Sequence, residues 1–124
     1  MNINYKTKNI VLDEEVKNYL EEKIGGLIEK YLLKLDEKEN IQVDCEVARE
    51  THHQKGNVYY VEVNMELPGR ILRVAKYHSD IKSGIDEVES DLKRQIKKYR
   101  EINKAKNRKD WLKLKNLIRG IFKK

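Results

Sequence analysis

The sequence predicts an α+β fold, a β-α-β-β-β-α two-layer sandwich in which a four-stranded sheet carries two helices on one face. Three observations predict it. Two long stretches repeat apolar residues at spacings of three and four, shorter stretches alternate apolar with polar residues, and the order is strand, helix, three strands, helix. Helices with one apolar stripe and strands with one apolar face bury both only if the helices lie together on one side of the sheet. A chain of 124 residues suits this as one domain. At that length a core buries roughly two thirds of the surface the unfolded chain exposes, so neither metal nor disulfides are needed for folding. Cys45, the single cysteine, cannot form a disulfide within the chain.

Asn2 to Lys8 sets Ile3, Tyr5 and Thr7 against Asn2, Asn4, Lys6 and Lys8, the period of a half-buried first strand. Asp13 is placed to cap a helix, with Glu14 and Glu15 favouring its positive end. Val16, Leu20, Ile24, Leu27, Tyr31 and Leu35 then line one stripe of a helix of about six turns. Gly25 and Gly26 inside it each cost on the order of 1 kcal/mol relative to Ala, which predicts a close backbone contact or a bend. Asp36 to Asn40 reads as a charged turn.

Ile41, Val43, Cys45 and Val47 alternate with Gln42, Asp44 and Glu46 as the second strand. A loop through His52, His53, Lys55, Gly56 and Asn57 leads to the third, where Tyr59, Val61, Val63, Met65 and Leu67 alternate with Tyr60, Glu62, Asn64 and Glu66. Pro68 and Gly69 turn the chain tightly into a fourth strand, Arg70 to Lys76, whose inward face is ambiguous because Ile71 and Ala75 compete with Leu72 and Val74. Ser79 or Asp80 caps the second helix, with the stripe Ile81, Ile85, Val88, Leu92, Ile96 and Tyr99. The outer face of this sheet, with Gln42, Asp44, Glu46, Glu62, Asn64 and Glu66, stays in water. Its acidity argues against RNA recognition by base stacking on the sheet.

The formal net charge is +6, from 27 Lys plus Arg and 21 Asp plus Glu. It is unevenly placed: Met1 to Asp91 carries 13 basic and 19 acidic residues, Leu92 to Lys124 carries 14 and 2. An acidic body with a basic end selects a polyanion, more simply a nucleic acid than an anionic membrane. No apolar run approaches the ~20 residues of a membrane span, and Met1 to Asn9 is too polar for a signal peptide, so a cytoplasmic protein is expected.

On the second helix Lys93, Lys97 and Arg100 form one row, with Arg94 and Lys98 in the row beside it. One or two cations near a helix end would be a solvated face that also favours the dipole. Five cations within eight residues, with no acidic partner inside the ridge, predict phosphate contact. Lys23 and Lys30, seven apart on the first helix, extend the patch or, beside Glu22 and Glu29, form a solvated face.

No catalytic constellation emerges, and the chain is not expected to be an enzyme, to hold a cofactor or to take a small-molecule substrate. His52 and His53 are neighbours in a loop, whereas a zinc site needs three or four converging ligands, so no metal is expected. Cys45 on an inward strand face reads as a small buried hydrophobe. Gly25 and Gly26 lack the strand-to-helix setting and the lysine of a phosphate loop.

The stretch His78, Ser79, Asp80 and Ile81, then Ile85 and Asp86, then Leu92, Arg94, Gln95, Ile96 and Lys98 resembles the His-x-Asp and Leu-x-Arg-Gln-Leu-x-Lys signature of the ribosome hibernation promoting factors, also called ribosome-associated translation inhibitors. The opening strand fits as well, as do Lys23, Ile24, Leu27 and the Glu29, Lys30, Tyr31 ending of the first helix, and the Leu67, Pro68, Gly69 turn. The resemblance covers about residues 1 to 100. It implies a fold similar to double-stranded RNA-binding domains and a partner in the small ribosomal subunit, through ribosomal RNA and in part ribosomal proteins. It further implies binding at the decoding region that blocks tRNA and mRNA and inhibits translation in idle cells. Lys23, Arg94 and Lys98 match the family's basic positions expected on ribosomal RNA, whereas Lys30, Lys93, Lys97 and Arg100 come from the charge pattern alone. Gly26 departs from the family, whose members often carry Lys there, which predicts a weaker contribution from the first helix.

Residues 1–102 are therefore expected to form the ribosome-binding domain and residues 103–124 a basic amphipathic extension, too short for the separate dimerisation domain of long family members. In the extension Trp111, Leu114, Ile118 and Ile121 recur at helical spacing, widened by Leu112, Leu117 and Phe122, with Lys113, Lys115, Arg119 and Lys123 opposite. Such a helix could dock on RNA or a ribosomal protein, lie on a membrane surface, or fold back on its own domain. Two alternatives to the ribosomal reading stay open: a general binder of structured RNA, and a membrane- or partner-binding protein acting through this tail.

Overall fold

The computed structural model describes residues 1–50, 56 and 58–122, with side chains as far as 105. The elements are β1 (Asn2–Lys8), α1 (Glu14–Tyr31), α2 (Leu33–Glu39), β2 (Gln42–Glu50), β3 (Val58–Leu67), β4 (Arg70–His78) and α3 (Ile81–Phe122). The strands lie in the order β1-β2-β3-β4. β1 runs parallel to β2, which requires a long connection, and α1 with α2 supplies it; the other neighbours are antiparallel. The expected α+β sandwich is therefore present, with one short helix added.

The apolar stripes meet the inner sheet face in one core. Leu20 and Ile24 of α1 and Ile85, Leu92 and Ile96 of α3 are buried with Val43, Val47, Val63, Met65 and Leu72 of the sheet. Burial also settles the face of β4. Leu72 and Val74 point inward, Ile71 is 63% exposed, and the strand runs two residues beyond its expected end at Lys76. Asp13 caps α1 by accepting from the Val16 amide at 2.8 Å, as expected. Asp80, rather than Ser79, caps α3, accepting from the Ser83 amide at 3.0 Å and the Ser83 hydroxyl at 2.7 Å.

Two expectations about the first helix are corrected. It does not bend at Gly25 and Gly26: α1 passes through both, a Cβ on Gly25 would only touch the Met1 side chain at 3.5 Å, and one on Gly26 would meet nothing within 4 Å. The break comes at Leu32, whose φ of −131° and ψ of 20° leave the helical region. Leu32 turns into the core at 5% exposed, while Tyr31 is left half-buried at the rim. The segment expected as a charged turn is instead mostly α2. Asn40 ends it in the left-handed region that asparagine tolerates (φ 50°), and Asp36 accepts from the Ile41 amide at 2.9 Å to start β2.

The outer sheet face is less uniformly acidic than expected. Glu62 is buried beneath Arg73, whose Nε lies 2.6 Å from its carboxylate, and the Tyr60 and Tyr77 rings pack with centroids 4.9 Å apart. The register explains the pair, since Tyr60 and Tyr77 are direct cross-strand neighbours.

α3 is one helix of 42 residues that crosses position 102 without a break. Among the described residues no helix is long and apolar enough to cross a membrane, and no group of three His, Cys, Asp or Glu side chains gathers to hold a metal. His52 and His53 lie outside the described residues, as do the side chains of Trp111, Leu114, Ile118 and Ile121.

Candidate nucleic-acid interface

α1 and α3 lie side by side and run in the same direction, and a constant stagger matches their outer rows. Lys82 Nζ meets Glu15 Oε1 at 2.5 Å and the Tyr19 hydroxyl donates to Asp86, both across 67 positions. One turn further, Lys23 faces Glu89 at 3.9 Å and sits 5.3 Å from the centre of the Tyr19 ring. The bond to Asp86, with desolvation and further carboxylates behind it, pushes the Tyr19 phenol up to about 12. This first part of the groove is thus closed by charge pairs within the protein.

Beyond Gly26 the pattern changes, because the cations continue while no further ion pair joins the two helices among the described residues. Around the Tyr31 ring stand Lys30 at 5.4 Å, Lys97 at 5.7 Å and Arg100 at 5.8 Å from its centre. Partial burial alone would raise the phenol's pKa, but the charges of Lys30, Lys93 and Lys97 and a hydrogen bond with Lys30 outweigh it, and the net shift is downward. None of Lys30, Lys93, Lys97 and Arg100 forms an ion pair with a carboxylate among the described residues. Such a cluster repels itself unless an anion or polyanion shares it.

The residues expected from sequence therefore divide. Lys30, Lys93, Lys97 and Arg100 converge at the end of the groove between the helices. Arg94 leans to the opposite flank of α3, where it pairs with Asp91, which also holds Lys76 at 2.7 Å. Arg94 thus does have an acidic partner, from the turn before the ridge, although its side chain remains 76% exposed. Lys98 is exposed on that same flank. Lys23 is the member least free to meet a phosphate, being 32% exposed and facing Glu89.

Sequence reasoning missed three contributors. A groove of about 930 Å³ opens where α1, α2 and α3 meet, and Lys34, Lys38 and Lys104 line it together with Lys30, Tyr31 and Arg100, with Glu29 and Glu39 also on its wall. Lys104 continues the Lys97 and Arg100 row at helical spacing, a signal present in the sequence. Tyr31 does pack against the core as its place on the stripe predicts, but its half-buried ring also stands among the cations, which the stripe does not reveal. Elsewhere Cys45 is inert: burial pushes its thiol up to about 12.

The family model described as Sigma 54 modulation protein / S30EA ribosomal protein matches residues 3–104. Two curated relatives, both called ribosome hibernation promotion factor, come from Deinococcus radiodurans and Staphylococcus aureus (strain COL). The first is 29% identical over 93 residues, covering 75% of this chain and 46% of the relative. The second is 31% identical over 105 residues, covering 81% and 48%. The chain thus spans about half the length of these relatives. Among solved structures, the crystal structure of the Thermus thermophilus Protein Y N-terminal domain aligns with a TM-score of 0.63 at 20% identity, covering 80% of this chain and 99% of that one. A ribosomal subunit interface protein from Coxiella burnetii aligns with a TM-score of 0.62 at 18% identity, covering 82% and 99%. At those identities the solved structures establish the shared fold.

Proposed function

The chain belongs to the Sigma 54 modulation protein / S30EA ribosomal protein family, and on that premise we propose that it is a ribosome hibernation factor. It binds the small ribosomal subunit at the decoding region and blocks tRNA and mRNA there, silencing translation in idle or stressed cells. The observation that carries this reading is the convergence of Lys30, Lys93, Lys97 and Arg100, free of carboxylate partners among the described residues, on one end of the groove between α1 and α3. The names of the two curated relatives support the ribosome as the partner.

The protein acts by occupancy rather than catalysis, in the cytoplasm where ribosomes are. Residues 1–102 supply the ribosome-binding body, with Arg94 and Lys98 adding contacts on the second flank of α3, and residues 103–124 extend the basic surface along ribosomal RNA or a ribosomal protein. The acidic outer sheet face turns away from the RNA. Sucrose-gradient sedimentation of small subunits with the protein, at graded salt, tests the reading. With roughly six to eight phosphates neutralised, the log of affinity should fall by ~0.7 to 0.9 per contact per log unit of salt. A flat salt response, or unimpaired binding of tRNA and mRNA to loaded subunits, would refute it.

A further inference from the structure

We propose that Tyr31 is a direct phosphate ligand of this interface. Its phenolic O–H donates to a non-bridging oxygen of an RNA backbone phosphate, whose charge is met by Lys30, Lys97 and Arg100. The inference rests on the RNA-binding reading above and adds to it a neutral, directional contact that a count of charges does not contain.

Four observations lead to it. Tyr31 is half-buried at the rim, its ring packed against the core that its neighbour Leu32 enters, so the ring is held in place at the surface. The cations around it arrive from two helices. The negative end of α1 would attract about half a charge's worth of compensation, which Lys30 supplies, yet Lys93, Lys97 and Arg100 come from the middle of α3 and have no such reason to gather. Lys30 stands 5.4 Å from the centre of the Tyr31 ring, and a cation beside a phenol favours a hydroxyl hydrogen that points away from it, outward as a donor.

The fourth observation is a comparison within the protein. Tyr5 donates to Glu21 at 2.8 Å, Tyr19 donates to Asp86, and Tyr99 donates to the Pro68 carbonyl at 2.8 Å. Tyr31, on a helix like Tyr19 and Tyr99, donates to no acceptor among the described residues, and neither do Tyr59 and Tyr77 on the sheet, but Tyr31 stands among cations at the groove. A hydroxyl without a protein acceptor, ringed by cations that form no ion pair among the described residues, suits an oxyanion. Its place on the path of the basic ridge specifies one borne by RNA.

The test is equilibrium binding of the full chain to purified small subunits and, in parallel, to a short RNA hairpin and to vesicles of anionic lipid. Tyr31→Phe keeps the ring and the cations around it and removes only the O–H. It should weaken RNA binding about tenfold, as expected for losing a hydrogen bond to a charged group, and leave the salt slope unchanged. Lys97→Gln should instead lower that slope by ~0.7 to 0.9. If Tyr31→Phe binds subunits and hairpin like the wild type, the assignment is overturned while the ribosomal reading stands. If the wild type binds the hairpin but not the subunits, the ribosomal reading fails and the hairpin arm still decides Tyr31. Binding to vesicles alone would overturn both.

Discussion

Tyr19 on α1 donates to Asp86 on α3, and two turns further along α1 Gly26 is exposed, with the space around a Cβ built there empty to 4 Å. Gly26 marks where the paired part of the groove gives way to the unpaired part. Gly26→Ala should raise stability by about 0.5–1 kcal/mol through helix propensity, without altering RNA binding. Gly26→Lys should tighten binding to small subunits and steepen its salt slope by ~0.7 to 0.9, because the position is open and adds a cation to the helical side. Thermal unfolding and salt-titrated binding of the two variants separate these effects.

Lys23 is neutralised by Glu89, so the pair offers a way to add charge without adding a lysine. Glu89→Gln should release Lys23 toward the RNA and strengthen binding severalfold. The lost pair is partly exposed and contributes little, so stability should move by less than about 0.5 kcal/mol. Unchanged affinity would place Lys23 outside the contact surface.

Replacing Lys97 and Arg100 together by Glu should weaken co-sedimentation with small subunits by about a hundredfold or more at low salt, since two phosphate contacts become repulsions. Arg94 and Lys98 replaced together by Glu should also release the protein, from the second flank of α3. Both double variants alter exposed or rim side chains, and their circular dichroism should match the wild type. Undiminished sedimentation of either would remove that flank from the interface.

Asp80 anchors the start of α3, and its bonds from the Ser83 hydroxyl and amide hold its carboxyl below the usual range against a smaller opposing effect of desolvation. A carboxyl lowered on folding contributes stability that is present above its unfolded pKa and lost as pH falls through its folded, lower value. Asp80→Ala should therefore lower the unfolding temperature by a few degrees at neutral pH, and the deficit against the wild type should shrink in acid. Asp80→Asn, which can still accept from the amide, should keep most of the wild-type stability at neutral pH.

Leu92 is fully buried between α3 and the sheet. Leu92→Ala should cost about 2–5 kcal/mol in chemical unfolding, depending on how far the core can close on the cavity. A core substitution of this kind should reduce ribosome binding only as far as it unfolds the protein, unlike the surface variants.

The layers and most element limits were readable because apolar periodicity reports directly which side of each element is buried. The Leu32 break was not. After Ile28, Tyr31 lies three positions on and Leu32 four, and both spacings belong to a helical stripe; only packing decides which one turns inward. The division of the basic ridge was hidden for a related reason. Lys23 and Glu89 are far apart in the chain, and their meeting depends on the stagger of two packed helices, which no single-helix pattern encodes. On the sheet, alternation places Tyr60 and Tyr77 on the same side, but their ring contact follows from cross-strand register. The cations themselves were found from sequence because their density on α3 exceeded any local need, whereas their gathering around Tyr31 required the fold.

The unbroken course of α3 ties the orientation of its last turns to the interior of the protein. At 1.5 Å per residue its 42 residues span about 63 Å, and Tyr99, the last core side chain among the described residues, lies less than halfway along. The overhang behaves as a spoke whose heading is set at the hub. Inserting one residue near position 104 would swing the greasy edge around Trp111 by about 100° while leaving its composition untouched, and inserting seven would bring it nearly back. Phasing of this sort distinguishes a directed arm from a loose tether, because a tether would tolerate every insertion equally.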